Sequence, residues 1–490
     1  MKTAITVVRS PLTLRPDPHR LIAKPYLISD QAPFTGKSRA ERMIDRITAL
    51  SPSEVRDTLD RLRIRFTERH ADLDQVFMQG FAAAVASVPE VARVPEEFRM
   101  LIGAYFVHEY SLEGAALTNP SIVPAPDQGS VADGSLEVIV SLRAVGEGHI
   151  SAIEFRTGSV GADGAIDLDV AGPPIIGDRR PPTFQRAAFA AKLDEMGVLG
   201  GLVGRILDSV DDWFTLEDLD RACADLRGGA HQPEAADAAI HSLHWLASSN
   251  YETTFPAEST VSERVLFPSG PTESQGMEDA RFVPFVEADQ SMRYFATYTA
   301  FDGLRILPQL IETTDFRTFR IATIGGKEAR NKGMAIFPRR IGGKYAALGR
   351  SDGESNYLMR SDDIRVWNES KQIQVPTHPW DLMQIGNAGS PLETEAGWLT
   401  ITHGVGPMRR YTLGAILLDL DDPSRVIGSL DEPLLEPEEA ERDGYVPNVV
   451  YSCGSLIHGD RLIIAYGASD TSSSFASVSV DSLLAQMTRV

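Results

Sequence analysis

From Tyr251 to Val490 the chain is written as short apolar runs broken by Gly, Pro, Asp and Asn clusters, and this punctuation limits the fold more than any other feature. The runs at 293–300, 334–337, 344–348, 398–402, 411–419 and 461–466 have the length of strands, with turn residues between them. No strict repeat joins them, so a WD40-type signature is absent. A series of this kind builds a sandwich, a barrel or a propeller. Helical patterns are confined to the front of the chain and one internal stretch, which favours a mainly β propeller with helical decoration.

Residues 1–35 carry Pro11, Pro16, Pro18 and Pro25 and read as an extended arm with one strand. From Gly36 to Glu113 the pattern is helical. Ser51 is a cap, Pro52 fits the first helical position, and Glu54 follows close behind. Leu59, Leu62, Ile64 and Phe66 continue that helix, and another covers about Asp72 to Val88. A further helix is predicted from about residue 95 towards Leu117, carrying His108 and Glu109, with Asn119-Pro120 ending it. Leu136–Ala144 and Ile150–Thr157 flank Gly146-Glu147-Gly148 as a hairpin, and 183–249 returns to a helical period. The predicted organisation is therefore an arm and helical extension at 1–117, a first propeller segment at 118–182, a helical insertion at 183–250, and the remaining blades at 251–490.

Composition excludes several classes. A formal net charge of −21 argues against bulk nucleic-acid binding, and any anionic ligand needs a local basic pocket. The two cysteines, Cys223 and Cys453, form no metal spacing and fit a reducing, cytoplasmic setting. No apolar run reaches the ~18 residues of a membrane span, and the first ten residues are too weakly apolar for a secretory signal. His108-Glu109 lacks the second histidine of a zinc motif, and Gly158, Gly161 and Gly164 lack the lysine of a phosphate loop. No metal or cofactor is expected.

The chemistry concentrates at Gly276-Met277-Glu278-Asp279-Ala280-Arg281-Phe282-Val283. Adjacent strand residues point to opposite faces, so one acid can face a cavity and its neighbour the wall. A carboxyl held at a strand edge near a polar cavity suits a general acid. Farther on come Arg330-Asn331-Lys332-Gly333, Arg350, the segment Gln384–Pro391, and Gly397–Val405 with its His403. Val446–Val450 and Tyr466–Thr471 close the series.

In these segments the chain resembles glycoside hydrolase family 130, the β-mannoside phosphorylases and related β-mannosidases. GMEDARF, YTAFDG, NKGMAIFPRRIGGKY, TEAGWLTITHGV, LLDLDDP, EPLLEP, VPNVV and YGASDT occur in family order. The long helical front resembles the longer members, which act on β-1,2-linked mannosides. The resemblance implies a five-bladed β-propeller with the site in its funnel. It implies that Asp279 is the acid, its proton passing through a hydroxyl of the bound mannose, and that Glu278 and Asp470 contact sugar. Asn119, Ser121, Arg143 and Lys332 are implied substrate contacts; Arg330, Asn331, Arg350 and His403 are implied phosphate contacts. Gln384 stands where the family usually has a lysine, which removes one cation from that set. Arg409 and Arg410 follow the histidine turn and add charge.

The expected reaction is inverting phosphorolysis of a β-mannoside, from β-1,2-mannobiose or β-1,2-oligomannan, giving α-mannose 1-phosphate. Phosphate is already anionic and needs cations rather than a strong base, and arginine supplies a planar fork. The alternative, an inverting β-mannoside hydrolase, needs a second carboxylate about 6.5–9.5 Å from the acid, for which Glu273 and Glu393 are the nearest sequence candidates. A non-catalytic carbohydrate-binding propeller is a further alternative. Bland roles compete throughout: Arg330 and Arg350 as surface arginines, Lys332 as an ion-pair partner, His403 as a core histidine, and Trp398 as core rather than a sugar platform. The expected partners are a β-mannoside and inorganic phosphate, with no nucleic acid and no membrane; the helical additions are candidates for homo-oligomer contacts.

Overall fold

A computed structural model describes residues 5–26, 28, 36–70, 72–129, 134–229 and 233–489. Parts of the predicted arm (1–4, 27, 29–35) and of the helical stretch (230–232) lie outside the described residues. The chain divides into Asp17–Gly114 and a second unit made of Met1–Pro16 with Ala115–Val490.

The first unit packs helices Arg39–Thr48, Pro52–Phe66, Leu73–Ser87 and Glu96–Tyr105 around Val55, Leu59, Phe77, Leu101 and Phe106. Ser51 and Glu54 form the capping box expected at Pro52, which satisfies two otherwise unpaired N–H groups. Ile64, however, is 86% exposed and belongs to the solvent face. Gly80 and Gly103 let two helices touch: a Cβ on Gly103 would lie 1.7 Å from the Phe77 carbonyl oxygen.

The helix predicted to run on towards Leu117 stops at Tyr105. Val107–Ser111 is instead a strand paired with Leu21–Pro25, so His108 and Glu109 lie on a sheet. A strand partner distant in sequence overrides the local helical pattern there. Glu109 accepts from Arg69 at 2.7 Å and sits 3.0 Å from His70 Nε2, an ion-pair role.

The second unit is mainly β and is built from consecutive antiparallel meanders. Ala116–Pro124, Leu136–Val145 and Ser151–Val160 form one. Gly276–Val286, Met292–Phe301, Ile306–Thr313 and Thr318–Thr323 form the next. These two share a sheet through only the parallel pair Gly276 and Ser151 and through outer strands. Ala335–Ile336, Tyr345–Gly349, Asn356–Ser361 and Glu369–Gln374 follow, then Gln384–Asn387, Gly397–Val405, Tyr411–Leu418 and Val426–Ser429. The last sheet joins an early strand to late ones: Val8–Leu14 adds antiparallel to Ser472–Ser479, beside Arg461–Ala468 and Val450–His458. Asn119-Pro120 lies within the strand Ala116–Pro124 and ends no helix.

The insertion carries helices Arg186–Glu195, Gly201–Asp208, Leu216–Gly229 and Pro233–Ser248 around Phe189, Leu193, Ile206, Leu219 and Leu243. Buried Lys192 ties it down, donating to Glu195 at 2.9 Å and to the Ile324 carbonyl at 3.0 Å. Glu195 in turn accepts from the Gly326 N–H at 2.7 Å.

Glu273 anchors the second meander from within. It is fully buried and accepts from Tyr251 (2.8 Å), Tyr298 (2.7 Å), and the N–H groups of Ser269 and Gly270 (both 3.0 Å). Glu273→Gln turns one acceptor into a donor facing donors. It is expected to cost about 1–3 kcal/mol, read as a lower urea midpoint at an unchanged m-value.

Candidate functional site

Three strands carry the same irregularity, and it builds the site. Asn119-Pro120 stand opposite Leu142 alone, Ala280 and Asp279 opposite Tyr298, and Ser452-Cys453 opposite Tyr466. Each is a bulge of two residues against one, which breaks the alternation of side chains and re-aims them. Asn119 and Asp279 adopt left-handed backbone, with φ of 50° and 56°. Such backbone is tolerated mainly by Asn, Asp and Gly. The bulged strands Ala116–Pro124, Gly276–Val286 and Val450–His458 pack on one another. Asn119 Nδ2 donates to Asp279 Oδ1 at 2.6 Å, which bridges two of the bulges.

The bulge also corrects the simple strand expectation for the acid pair. Glu278 and Asp279 do not face opposite ways: both address Arg143, at 2.7 Å and 4.0 Å. Lys332 closes on the other oxygen of Glu278 at 2.5 Å. Glu278 is thus charge-balanced from two sides, while the only side-chain hydrogen bond of Asp279 among the described residues comes from Asn119. Asp470, half-buried beside them, has its pKa raised, first by burial and then by the charge of Asp279, with Arg143 and Arg409 opposing.

A second group of contacts runs from Arg281 to Arg350. Arg281 is 1% exposed and donates to Asn387 Oδ1 (3.1 Å) and Tyr451 Oη (2.6 Å). Asn387 also donates to the Gly333 carbonyl at 2.7 Å, which ties this network to the loop carrying Arg330, Asn331 and Lys332. His403 lies edge-on to Tyr451 at 5.0 Å. Its Nδ1 donates to the Asn387 carbonyl at 2.9 Å, so its Nε2 accepts, from Arg350 Nη1 and Gln384 Nε2, both at 3.1 Å. Burial, then the charges of Arg350 and Arg281, hold the His403 pKa well below its ordinary value, so the ring is neutral. Gly386 makes this possible, because a Cβ there would lie 2.5 Å from His403 Cε1.

Arg350 is half-buried, and its Nε is buried without a hydrogen-bond partner. Neither Arg350 nor Arg281 makes an ion pair among the described residues; their side-chain partners are neutral. Asn331, also left-handed at φ 62°, donates to the Arg350 and Ser351 carbonyls at 3.3 and 3.4 Å. Arg330 is exposed, and its guanidinium has no partner among the described residues.

Ser121 departs from the expected substrate contact. It is fully buried, and its hydroxyl accepts the Phe282 N–H at 3.2 Å, so it ties two strands together and offers nothing to solvent. His403 reaches the site only through Arg350 and Gln384, since both ring nitrogens are engaged. Glu273 is committed to the core, and Glu393 pairs with Arg339 at 2.6 Å on the surface. Trp398 is core, packed on Phe337. Arg281, Asn387 and Tyr451 carry much of the geometry yet were not singled out from sequence; an arginine inside the otherwise apolar run after Asp279 was the available signal. Cavities of about 360 and 400 Å³ lie beside the strand Thr318–Thr323, away from these residues. Their arginines have acidic neighbours: Arg320 with Glu252 at 3.8 Å and Arg365 with Asp363 at 3.7 Å.

Residues 247–489 match the glycoside hydrolase 130 family model, described as β-1,4-mannooligosaccharide phosphorylase. A 1,2-β-oligomannan phosphorylase of Thermoanaerobacter sp. is 36% identical over 207 residues, 41% of this chain and 67% of that protein. A β-1,2-mannobiose phosphorylase of Listeria innocua is 31% identical over 230 residues, 45% of this chain and 63% of that protein. The structure of a Listeria innocua β-1,2-mannobiose phosphorylase in complex with β-1,2-mannobiose superimposes with a TM-score of 0.46 at 22% identity, covering 77% of this chain and 92% of that one. The matched stretches thus span about two thirds of the curated relatives' own lengths.

Proposed function

The chain belongs to glycoside hydrolase family 130, and from that premise we propose that it is a glycoside phosphorylase that cleaves β-mannosides with inorganic phosphate. Relatives named β-1,2-mannobiose and 1,2-β-oligomannan phosphorylase make β-1,2-linked mannosides the first substrates to try.

The observation that carries this reading is the state of Arg350. A half-buried guanidinium with only neutral partners, in a chain of net charge −21, is an uncompensated cation. Leaving it so costs free energy that a bound anion recovers. Phosphate fits the planar fork. Arg330 and Asn331 complete the anion site from the neighbouring loop, and neutral His403, which Gln384 contacts, aims the guanidinium. Asp279 is the proton donor. Glu278, positioned by Arg143 and Lys332, accepts hydrogen bonds from sugar hydroxyls, and Asp470 takes the same role from the turn after Arg461–Ala468.

The step balances simply. A phosphate oxygen bonds to the anomeric carbon as the glycosidic C–O bond breaks on the opposite face. The departing oxygen gains the Asp279 proton, relayed through a hydroxyl of the bound mannose. Attack from the opposite face gives α-mannose 1-phosphate with inversion. A hydrolytic base is not offered by Glu273 or Glu393, whose oxygens are committed elsewhere.

The successive meanders, with the early strand Val8–Leu14 added to the last one, support a five-bladed propeller with the bulged strands around its axis. Two free, buried cysteines are consistent with a reducing cytoplasmic setting. Among the described residues no helix is long and apolar enough to cross a membrane.

Incubating the protein with β-1,2- and β-1,4-linked mannosides, each with and without phosphate, tests the reading. Mannose 1-phosphate released only with phosphate is the expected result. Equal turnover without phosphate, giving free mannose, would overturn it.

A further inference from the structure

We propose that Arg9, on the amino-terminal strand, is a positioning residue that sets Asp470 through Glu441 and Ser469. The inference rests on the reading that Asp470 holds sugar.

Ser469 and Asp470 are consecutive non-glycine residues in left-handed backbone, with φ of 47° and 49°. Such backbone is disfavoured for any residue with a Cβ, and it persists only where its surroundings over-determine it. Several of the constraints come from one segment. Ser469 N–H donates to the Val449 carbonyl at 2.8 Å, and its carbonyl accepts the Val446 N–H at 3.0 Å. Ser469 Oγ donates to the Glu441 carbonyl at 2.6 Å. Thr471 Oγ1 accepts the Tyr445 N–H at 2.9 Å. The only regular structure in the segment from Glu436 to Val449 that clamps Asp470 is one short turn of helix, Glu439–Glu441.

Arg9 holds it. Its Nη2 donates to the Glu436 carbonyl at 2.6 Å and to Glu441 at 3.2 Å, and its Nε lies 3.4 Å from Glu441. Its Nη1 meets Glu438 at 2.6 Å. Tyr466 donates at 2.6 Å to Glu441 Oε1, the oxygen that Arg9 Nε also faces. Arg9 is itself fixed in the sheet opposite Ala476. One guanidinium thus gathers two carboxylates and a carbonyl that would otherwise repel, and the strand from the start of the chain fixes a residue near its end. No other role in the proposed reaction falls to Arg9.

Steady-state kinetics of Arg9→Ala, Arg9→Lys, Tyr466→Phe and Asp470→Asn, with mannoside and phosphate varied separately, test this. Arg9→Ala is expected to raise KM for the mannoside about tenfold, the weight of one hydrogen bond to a charged group. KM for phosphate, set at Arg350, should change less than about twofold, with kcat nearly kept, as for lost uniform binding. Arg9→Lys keeps the charge but loses the fork and should fall between. Tyr466→Phe should shift the same constant by less, and it carries the test if Arg9→Ala does not fold. If Asp470→Asn leaves the mannoside KM unchanged, the sugar-holding role of Asp470 fails. If Asp470→Asn raises it but Arg9→Lys and Tyr466→Phe do not, the inference about Arg9 fails. Lower thermal stability with both KM values unchanged would reduce Arg9 to a purely structural part.

Discussion

Asp279→Asn is expected to lower kcat by about 10²–10⁴-fold, the usual weight of a positioned general acid, while the protein stays folded and still binds mannoside. Asparagine is the informative replacement because position 279 is left-handed, at φ 56°. Asparagine tolerates that backbone, whereas alanine would add strain and mix a folding effect into the rate. The amide keeps an oxygen to accept from Asn119 Nδ2, which lies 2.6 Å from Asp279 Oδ1. It lacks a proton to give. Single-turnover rates, with mannoside affinity measured alongside by calorimetry, separate chemistry from binding. Retention of more than a tenth of kcat would remove Asp279 as the donor.

The second large effect is at Arg350. Arg350→Lys is expected to lower kcat/KM for phosphate by about 10²-fold, since two charge-assisted hydrogen bonds become one at about 1.5–3 kcal/mol each. The mannoside KM should be little changed. The guanidinium is aimed by His403 Nε2 at 3.1 Å, itself held by Gln384 at 3.1 Å, and a lysine has no planar fork to fill that geometry. The state of His403 adds a pH consequence. Its pKa is depressed, so the native ring stays neutral while the unfolded ring titrates near its reference of about 6.5. Below that pH the unfolded chain binds a proton the native chain refuses, so this group's contribution to stability is lost as pH falls and is present above it. Phosphate affinity through Arg350 should accordingly show no histidine step between about pH 6 and 8. An equal loss for phosphate and mannoside in Arg350→Lys would argue against a dedicated phosphate site.

What was legible in the sequence follows physical range. The strands after Tyr251 are local in cause, and turn residues bounded them well: 411–419 became Tyr411–Leu418, and 461–466 became Arg461–Ala468. The capping box at Ser51 is equally local. Val107–Ser111 was misread because its partner, Leu21–Pro25, is distant in sequence, and only pairing makes it a strand. The acids at 278 and 279 were found, but their shared face was not. Strand alternation predicts opposite sides, and the bulge opposite Tyr298 is a property of paired strands rather than of the residues alone. Ser121 looked like a site residue by its place beside Asn119, yet the bulge turned one into the site and the other into a tie to Phe282. The Arg281, Asn387 and Tyr451 network joins three separate strands, so no spacing announces it.

Central to this account is that a proton donor and an uncompensated guanidinium address the same sugar. The most direct measurement is a crystal structure of Asp279→Asn soaked with β-1,2-mannobiose and phosphate. Phosphate forked by Arg350, with a mannose ring between it and positions 279 and 470, is the result expected. Phosphate bound elsewhere, or mannobiose seated away from Asp470 while Arg350 stays unliganded, would contradict it.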